Sequence, residues 1–373
     1  MTKPRVLFVG PTRYPEVLPD GLQRKFDALE RQLEFRVLAR AEGAARSNGR
    51  FVLIRPVRPA ALEGAIFRTL LAGHVARAIR DFRPDVVVAE DPPSAAAALL
   101  GRRLARTGDC PRVVTEVHGD WRASTRLYGS PARRLLAPLA DAVDSYAVRR
   151  ADATRALSPY TARLVEQKRG IGPDAVFPTF TDLAAFEGPR LPLPAQPAAL
   201  FVGVLERYKG IDTVAAAWPR VADAVPGARL VVVGQGSRAA LVRRLGAQYA
   251  PKLAPAEVAA RMDDAWVLVL PSRYEGLGRV VIESFARGRG VIGGRAGGIL
   301  DLVQDEREGL LVDPGDAAAL ARALTRVLSD RSLADRLGSA AGAAYERWRS
   351  TPEDFAASVR ALVERAIGGG RSS

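Results

Sequence analysis

Two carboxylates eight positions apart, Glu275 and Glu283, mark the stretch of the chain best equipped for chemistry. Between them run Gly276, Leu277 and Gly278, then Arg279 and a helical apolar pattern; the apolar run from Trp266 to Pro271 comes just before. The layout is strand, glycine turn, helix. The first N–H groups of a helix have no intrahelical acceptor and carry the positive end of its dipole, so such a turn suits an anion. One carboxylate sits at the turn and the other further along the helix. Carboxylates accept hydrogen bonds from sugar hydroxyls while the N–H groups hold a phosphate.

Two upstream stretches add to this. "FVGVLERYKGIDTV" (201–214) ends a strand on Gly203 and offers Arg207 and Lys209 before the next helix. Two cations at a strand end suit a diphosphate, although a solvated loop accounts for either one alone. "LVVVGQGSRAALV" (230–242) has Gly234, Gly236 and Ala239 in a G-x-G-x-x-A pattern. A dinucleotide site also needs an acid about 20 residues on. That stretch reads "APKLAPAEV", with Glu257 inside a helical pattern, which disfavours NAD or FAD. A tight turn needing glycine, or a nucleotide lying near it, remains.

These pieces need a frame to position them. Strands are expected at 6–9, 35–38, 52–54, 86–89, 113–117 and 154–157, with helices at 23–32, 62–82, 94–105, 132–149 and 160–167 between them. The proline-rich "EGPRLPLPAQP" (187–197) reads as a linker. Alternation then resumes, with strands at 200–202, 230–233, 266–270, 291–292 and 309–312 and helices at 213–222, 238–249, 255–262, 279–286, 317–328 and 333–348. A last helix is expected at 352–367, folding back over the first domain, with a frayed tail after it. Strand–helix alternation means parallel sheets covered on both faces. Two such halves joined by a hinge predict a cleft, with ligands at the carboxyl ends of the strands.

The chain has 373 residues, 48% of them hydrophobic, enough for two cores. Its one cysteine, Cys110, leaves no internal disulfide to form and points to a reducing, cytoplasmic setting. No leader pattern and no run of about 20 apolar residues is found. The net charge is +14, of which about +10 falls in residues 1–190. An arginine-rich composition can account for that excess by itself; the partners it admits are an acidic substrate or an anionic membrane surface, on the inner face of which the protein would sit peripherally. Nucleic acid is not expected, because aromatics are 6% and none interleave with a basic patch. Metal ligation is not expected either: there are two histidines, no Asp-x-Asp and no Cys/His cluster. "MDDAW" (262–266) reads as a helix end, and no G-x-S-x-G elbow supports a hydrolase.

Residues 199–330 resemble the donor domain of retaining glycosyltransferases of family 4, which have the GT-B fold. The matching pieces are "FVGVLERYKGID", "LVVVGQG", "DDAWVLVLPSRYEGLGRVVIESFARGRGVI", "GGILDLV" and "EGLLVDPGD", in the family's order and spacing. The first half resembles it more loosely, through its alternation and "EVHGDW" (116–121). The resemblance implies an α/β protein of two Rossmann-like doubly wound domains facing a central cleft. Residues 1–190 would bind acceptor, residues 191–352 would bind donor, and the C-terminal helix at 353–373 would return to the first domain. It implies metal-free, retaining transfer of a sugar from a UDP- or GDP-linked donor to a glycan, lipid-linked or small hydroxyl acceptor, in cell-envelope glycan, exopolysaccharide or glycolipid synthesis. Glu275 would contact sugar hydroxyls near the reacting carbon and Glu283 the ribose. The N–H groups of Gly276, Leu277, Gly278 and Arg279 would cradle sugar and phosphate, and Lys209 would neutralise the leaving diphosphate. His118 and Asp120 would lie on the acceptor side, and Gly21 in a glycine loop approaching the donor phosphates. A lone histidine is otherwise an ordinary structural residue, and Gly21 an ordinary helix start. The family usually places arginine after the glycine at 203; here Val204 stands there, and Arg207 is the cation that could replace it. Rival readings are a sugar-nucleotide epimerase or NAD-dependent oxidoreductase on a similar frame, or a non-catalytic basic binding protein.

Overall fold

The computed structural model describes residues 2–55, 60–108, 110–122, 135 and 137–369. The chain divides into two compact units, residues 1–180 with 350–373, and residues 181–349. Unit 1 begins β1 (Arg5–Tyr14), α1 (Asp20–Gln32), β2 (Glu34–Ala41), β3 (Arg46–Ser47), β4 (Phe51–Ile54), α2 (Ala60–Phe82) and β5 (Val86–Ala89). It continues α3 (Pro92–Ala105), β6 (Arg112–Val117), α4 (Ala137–Arg150), β7 (Ala153–Ala156), α5 (Pro159–Arg169) and β8 (Ala175–Val176). The strands form one sheet in the order β3-β4-β2-β1-β5-β6-β7-β8. Every pairing in it is parallel except the short β3–β4 edge. Runs such as Val86–Ala89 are buried on both faces, as a sheet covered by helices on each side demands.

Unit 2 comprises β9 (Ala198–Val202), a 3₁₀ turn (Arg207–Lys209), α6 (Ile211–Ala224), β10 (Arg229–Val233), α7 (Ala239–Arg243), β11 (Gln248–Ala250) and α8 (Pro255–Asp263). After these come β12 (Val267–Leu270), α9 (Arg279–Ala286), β13 (Gly290–Gly294), α10 (Ile299–Leu302), β14 (Gly309–Val312), α11 (Ala317–Ser329) and α12 (Arg331–Tyr345). Its sheet is wholly parallel, in the order β11-β10-β9-β12-β13-β14.

The last helix, α13 (Pro352–Gly368), belongs to unit 1. Thr351 caps it, bonding reciprocally with Asp354. Its face of Phe355, Val359, Leu362 and Val363 joins the core beside Phe26 and Leu29 of α1. Arg31 pairs with Glu353, and Arg360 reaches Gln32.

Several expectations need correction. The stretch 187–197 is not a free hinge, and the unit boundary lies ten residues before 190. Leu183, Phe186 and Leu193 are buried in the core of unit 2. Prolines leave carbonyls without paired N–H groups, and buried carbonyls need donors. Arginines and a tryptophan supply them. Arg289 donates to Leu191 O at 2.9 Å, Arg331 to Pro194 O at 2.8 Å, and Trp266 Nε1 to Pro194 O at 2.9 Å. The helix expected at 238–249 stops at Arg243, because Gly246 takes φ 65° and turns the chain into edge strand β11. The short elements β3, β8 and α10 carried no periodic signal. The start of the helix expected at 132–149, namely 132–134 and 136, lies outside the described residues, as does the tail at 370–373. "MDDAW" is a helix end, with Asp263 closing α8 and paired to Arg287.

Asp144 is buried on the inner face of α4. Burial, reinforced by Asp91 and Asp141 and opposed by Arg68, pushes its carboxyl up to about 7. The folded state therefore binds a proton that the unfolded state releases near pH 4, so stability falls as pH rises from about 4 to 7, by at most about 1.4 kcal/mol per unit. Asp144→Asn should flatten that slope in urea titrations across this window; an unchanged slope would show that the side chain is solvated.

Candidate active site

In a parallel sheet the loops leaving the carboxyl ends of adjacent strands lie side by side. In unit 2 the loops after β9, β10, β12 and β13 do so at backbone-to-backbone range. Leu205 N donates to Gln235 O at 2.8 Å, Arg273 N to Tyr208 O at 2.8 Å, and Gly298 N to Glu275 O at 2.9 Å. Two positions need glycine for this. A Cβ on Gly234 would lie 1.8 Å from Gly203 O. Gly297 has φ 58°, and a Cβ there would lie 2.0 Å from Glu275 O.

Arg273, which sequence reasoning passed over, staples this edge. Its guanidinium grips Asp212 through both oxygens, at 2.7 and 3.0 Å, and donates to Thr213 Oγ1 at 3.2 Å and to Arg207 O at 2.5 Å. The 3₁₀ turn is thereby held against the loop after β12, and Lys209 meets Glu275 in an ion pair of two largely buried side chains. The Arg207 side chain stays outside this pair. It is 73% exposed and 3.9 Å from Asp212, so the structure does not bring it to Glu275. Val204 is exposed on the same loop.

Gly278 takes φ 84° and starts α9, so the helix N-terminus opens at the turn beside Glu275. Leu277 is buried in the core and anchors the turn, Gly276 is half-buried, and Arg279 is exposed in the first helical position. Glu283 follows one turn later. Burial pushes its carboxyl up, with Arg279 opposing. Among the described residues Glu283 makes no side-chain hydrogen bond or ion pair. A desolvated carboxylate without a partner is costly to the fold. The structure thus brings together Lys209, Glu275, Gly276, Leu277, Gly278, Arg279 and Glu283, with Gly203 and Gly234 in the adjoining loops.

The remaining expected residues, Gly21, His118 and Asp120, belong to unit 1. Gly21 is buried in the first turn of α1. Asp120 accepts from Arg122 N at 3.0 Å and Nε at 3.1 Å, a local turn contact. His118 follows β6, and its Nε2 lies 3.0 Å from Glu116 Oε2. Glu116 stands opposite Arg155 in the β6–β7 register, and the two form a buried ion pair. Burial alone would raise the Glu116 carboxyl, but Arg155, assisted by His118, outweighs it and holds it at about 2. Beside this, Glu90 accepts from Thr12 Oγ1 at 2.7 Å and is pushed up by burial, while burial pulls Lys25 down. Sequence reasoning missed Glu90, Glu116, Lys25 and Arg155. One signal existed: Arg155 interrupts a strand buried at every position, and a charge there requires a partner.

Two family descriptions match the chain in sequence: "Glycosyl transferases group 1" over residues 196–330 and "Glycosyltransferase Family 4" over residues 26–185. The chain belongs to glycosyltransferase family 4. The glycogen synthase of Mycobacterium tuberculosis is 31% identical over 275 residues, which cover 70% of this chain and 64% of that protein. This chain therefore spans less than two thirds of that relative's length. Sucrose-phosphate synthase from Thermosynechococcus elongatus superposes with a TM-score of 0.78 at 21% identity, covering 98% of this chain and 100% of that one. Anabaena HepE in complex with UDP-glucose superposes with a TM-score of 0.69 at 16% identity, covering 98% and 99%. The fold is GT-B, two Rossmann-like α/β domains. Among the described residues no group of three or more His, Cys, Asp or Glu side chains could hold a metal ion.

Two outcomes are expected for this family 4 site. Gly297→Ala should displace Glu275 and lower stability by about 1–3 kcal/mol through its left-handed backbone and the carbonyl clash. Wild-type unfolding midpoints would disprove the packing described. Glu283→Gln should raise the unfolding midpoint at neutral pH and leave it unchanged near pH 4, because it removes a carboxylate the fold disfavours. A lower midpoint at neutral pH would mean that Glu283 stabilises the fold instead.

Proposed function

We propose that the protein is a retaining glycosyltransferase that moves a sugar from a nucleoside-diphosphate sugar to a hydroxyl acceptor. The observation that carries this reading is the Lys209–Glu275 pair at the glycine turn, with the unpartnered carboxylate of Glu283 one helical turn along. A carboxylate kept desolvated without a protein partner is poised for a ligand's hydroxyls. Glu283 takes the ribose hydroxyls in this reading, and Glu275 the sugar hydroxyls next to the reacting carbon. The N–H groups of the turn and α9, with Lys209, face the diphosphate.

In the step itself the bond from the anomeric carbon to the diphosphate oxygen breaks, and the acceptor oxygen bonds to the same face of that carbon. The acceptor's proton passes to the leaving phosphate oxygen, so no strong protein base is required. Negative charge grows on the diphosphate as the bond breaks. Lys209 and the preorganised N–H groups stabilise that charge more in the transition state than before it. We read the step as metal-free on this account. His118, set by Glu116, is the candidate on the acceptor side, with Asp120, and Gly21 is the candidate loop glycine toward the phosphates. The donor in this reading is a UDP- or GDP-linked sugar. The acceptor class we assign is a cell-envelope glycan, exopolysaccharide or glycolipid hydroxyl, and the site of action is the cytoplasm.

A panel of nucleoside diphosphates and nucleotide sugars tests the donor. A true donor at about 100 times its Kd should raise the unfolding midpoint by about 5–10 °C, and no response to any member would end the reading. Glu275→Ala and Lys209→Met should each lower turnover by about 10²–10³-fold, measured on the folded fraction, because each also leaves its buried partner charge unpaired and lowers the unfolding midpoint. Chelator should leave turnover unchanged, and the product's anomeric configuration, read by NMR, should match the donor's.

A further inference from the structure

Helix α4 carries an exposed apolar stripe opposite a buried face of Ala137, Asp144, Ser145, Ala147 and Val148. Its inner face buries Asp144 and Ser145, while Leu139, Val143 and Tyr146, at i, i+4 and i+7, are 65, 44 and 41% exposed. Up to its last turn, the exposed positions of α4 are all apolar, Pro138 and Ala142 completing the set, with Asp141 half-buried among them. The last turn then presents Arg149 and Arg150, with the Arg150 guanidinium 5.9 Å from the centre of the Tyr146 ring. The neighbouring helix α3 packs against α4 and carries the same combination, with Leu100 and Leu104 about half exposed beside exposed Arg103. Helix α2, which also packs against α3, adds exposed Leu70, while its Arg77 lies 3.8 Å from Asp81 and is locally neutralised.

We propose that the outer face of α3 and α4, extended by α2, docks unit 1 on an anionic lipid bilayer. Leu100, Leu104, Leu139, Val143 and Tyr146 would enter the boundary between headgroups and acyl chains, and Arg103, Arg149 and Arg150 would pair with lipid phosphates. Exposed apolar side chains interleaved with arginines on neighbouring helices mark an interaction site rather than ordinary solvated surface. Charge selects the occupant. A second copy of this face would set arginine against arginine across a twofold axis, whereas an anionic headgroup layer neutralises them. Among the described residues no helix is long and apolar enough to cross a membrane, so the contact lies in the interface plane. The inference does not depend on the donor chemistry, since none of these residues belongs to the unit 2 site.

The test is co-sedimentation of the full chain with vesicles of phosphatidylcholine containing roughly one-third phosphatidylglycerol, against vesicles of phosphatidylcholine alone. The partition coefficient should be at least about tenfold higher on the anionic vesicles and should collapse in about 0.5 M salt. The double variant Leu139→Ser/Val143→Ser should lower it about tenfold or more, and Arg149→Glu/Arg150→Glu should abolish it. Both pairs are exposed, so unfolding midpoints should match the wild type and confirm that folding is intact. Three results would overturn the proposal: no preference for anionic vesicles, binding that both double variants retain, or a dimer in solution that the apolar double variant dissociates.

Discussion

The candidate site rests on one ion pair between two side chains that water barely reaches. Lys209 and Glu275 each lose most of their hydration in unit 2. Either charge alone would be expensive there, and together they are tolerable because each satisfies the other. Their meeting is not local chemistry, since 66 residues separate them. It depends on the loops after β9 and β12 standing shoulder to shoulder, which follows from β9 and β12 being neighbours in a parallel sheet.

Holding those loops still takes two devices. One is the removal of side chains where backbones touch, at Gly234 against Gly203 O and at Gly297 against Glu275 O. The other is arginine used as a multi-point donor to backbone carbonyls. Arg273 ties the 3₁₀ turn to the loop after β12, and Arg289 ties the proline-rich strap to α8 through Met262 O and Asp263 O. A planar guanidinium with five N–H groups fits this task, where lysine would offer a single charged point. Some of the chain's arginines thus serve inside the units, and net charge by itself says little about partners. What points outward at α3 and α4 is the local pairing of arginine with exposed leucine, valine and tyrosine.

Unit 1 carries its own polar cluster at the carboxyl end of its sheet, built by register. Glu116 and Arg155 face each other across β6 and β7, and His118 leans on the same carboxylate. The Arg155 guanidinium lies 4.0 Å from the centre of the Phe177 ring and 5.4 Å from that of Phe355, so the last helix helps to wall the pair off from water. The return of α13 to unit 1 therefore bears on the electrostatics of that strand end as well as on the core.

The periodic pattern of apolar residues, by itself, determined the two α/β units, the longer strands and nearly all the helices, because burying both faces of a parallel strand leaves an unmistakable apolar run. It also marked the turn at 275–279, since a glycine turn between strand and helix needs its residue types locally. Only the tertiary structure decided which charges meet. Arg207 and Lys209 look alike in sequence, yet one faces solvent and the other pairs with Glu275. Likewise the proline-rich stretch 187–197 reads as a hinge in sequence, yet arginines distant in sequence bind its carbonyls at Leu191 and Pro194. Pattern reports how each residue relates to its own element; a buried pair is set by strand order and register, which are properties of contacts between elements.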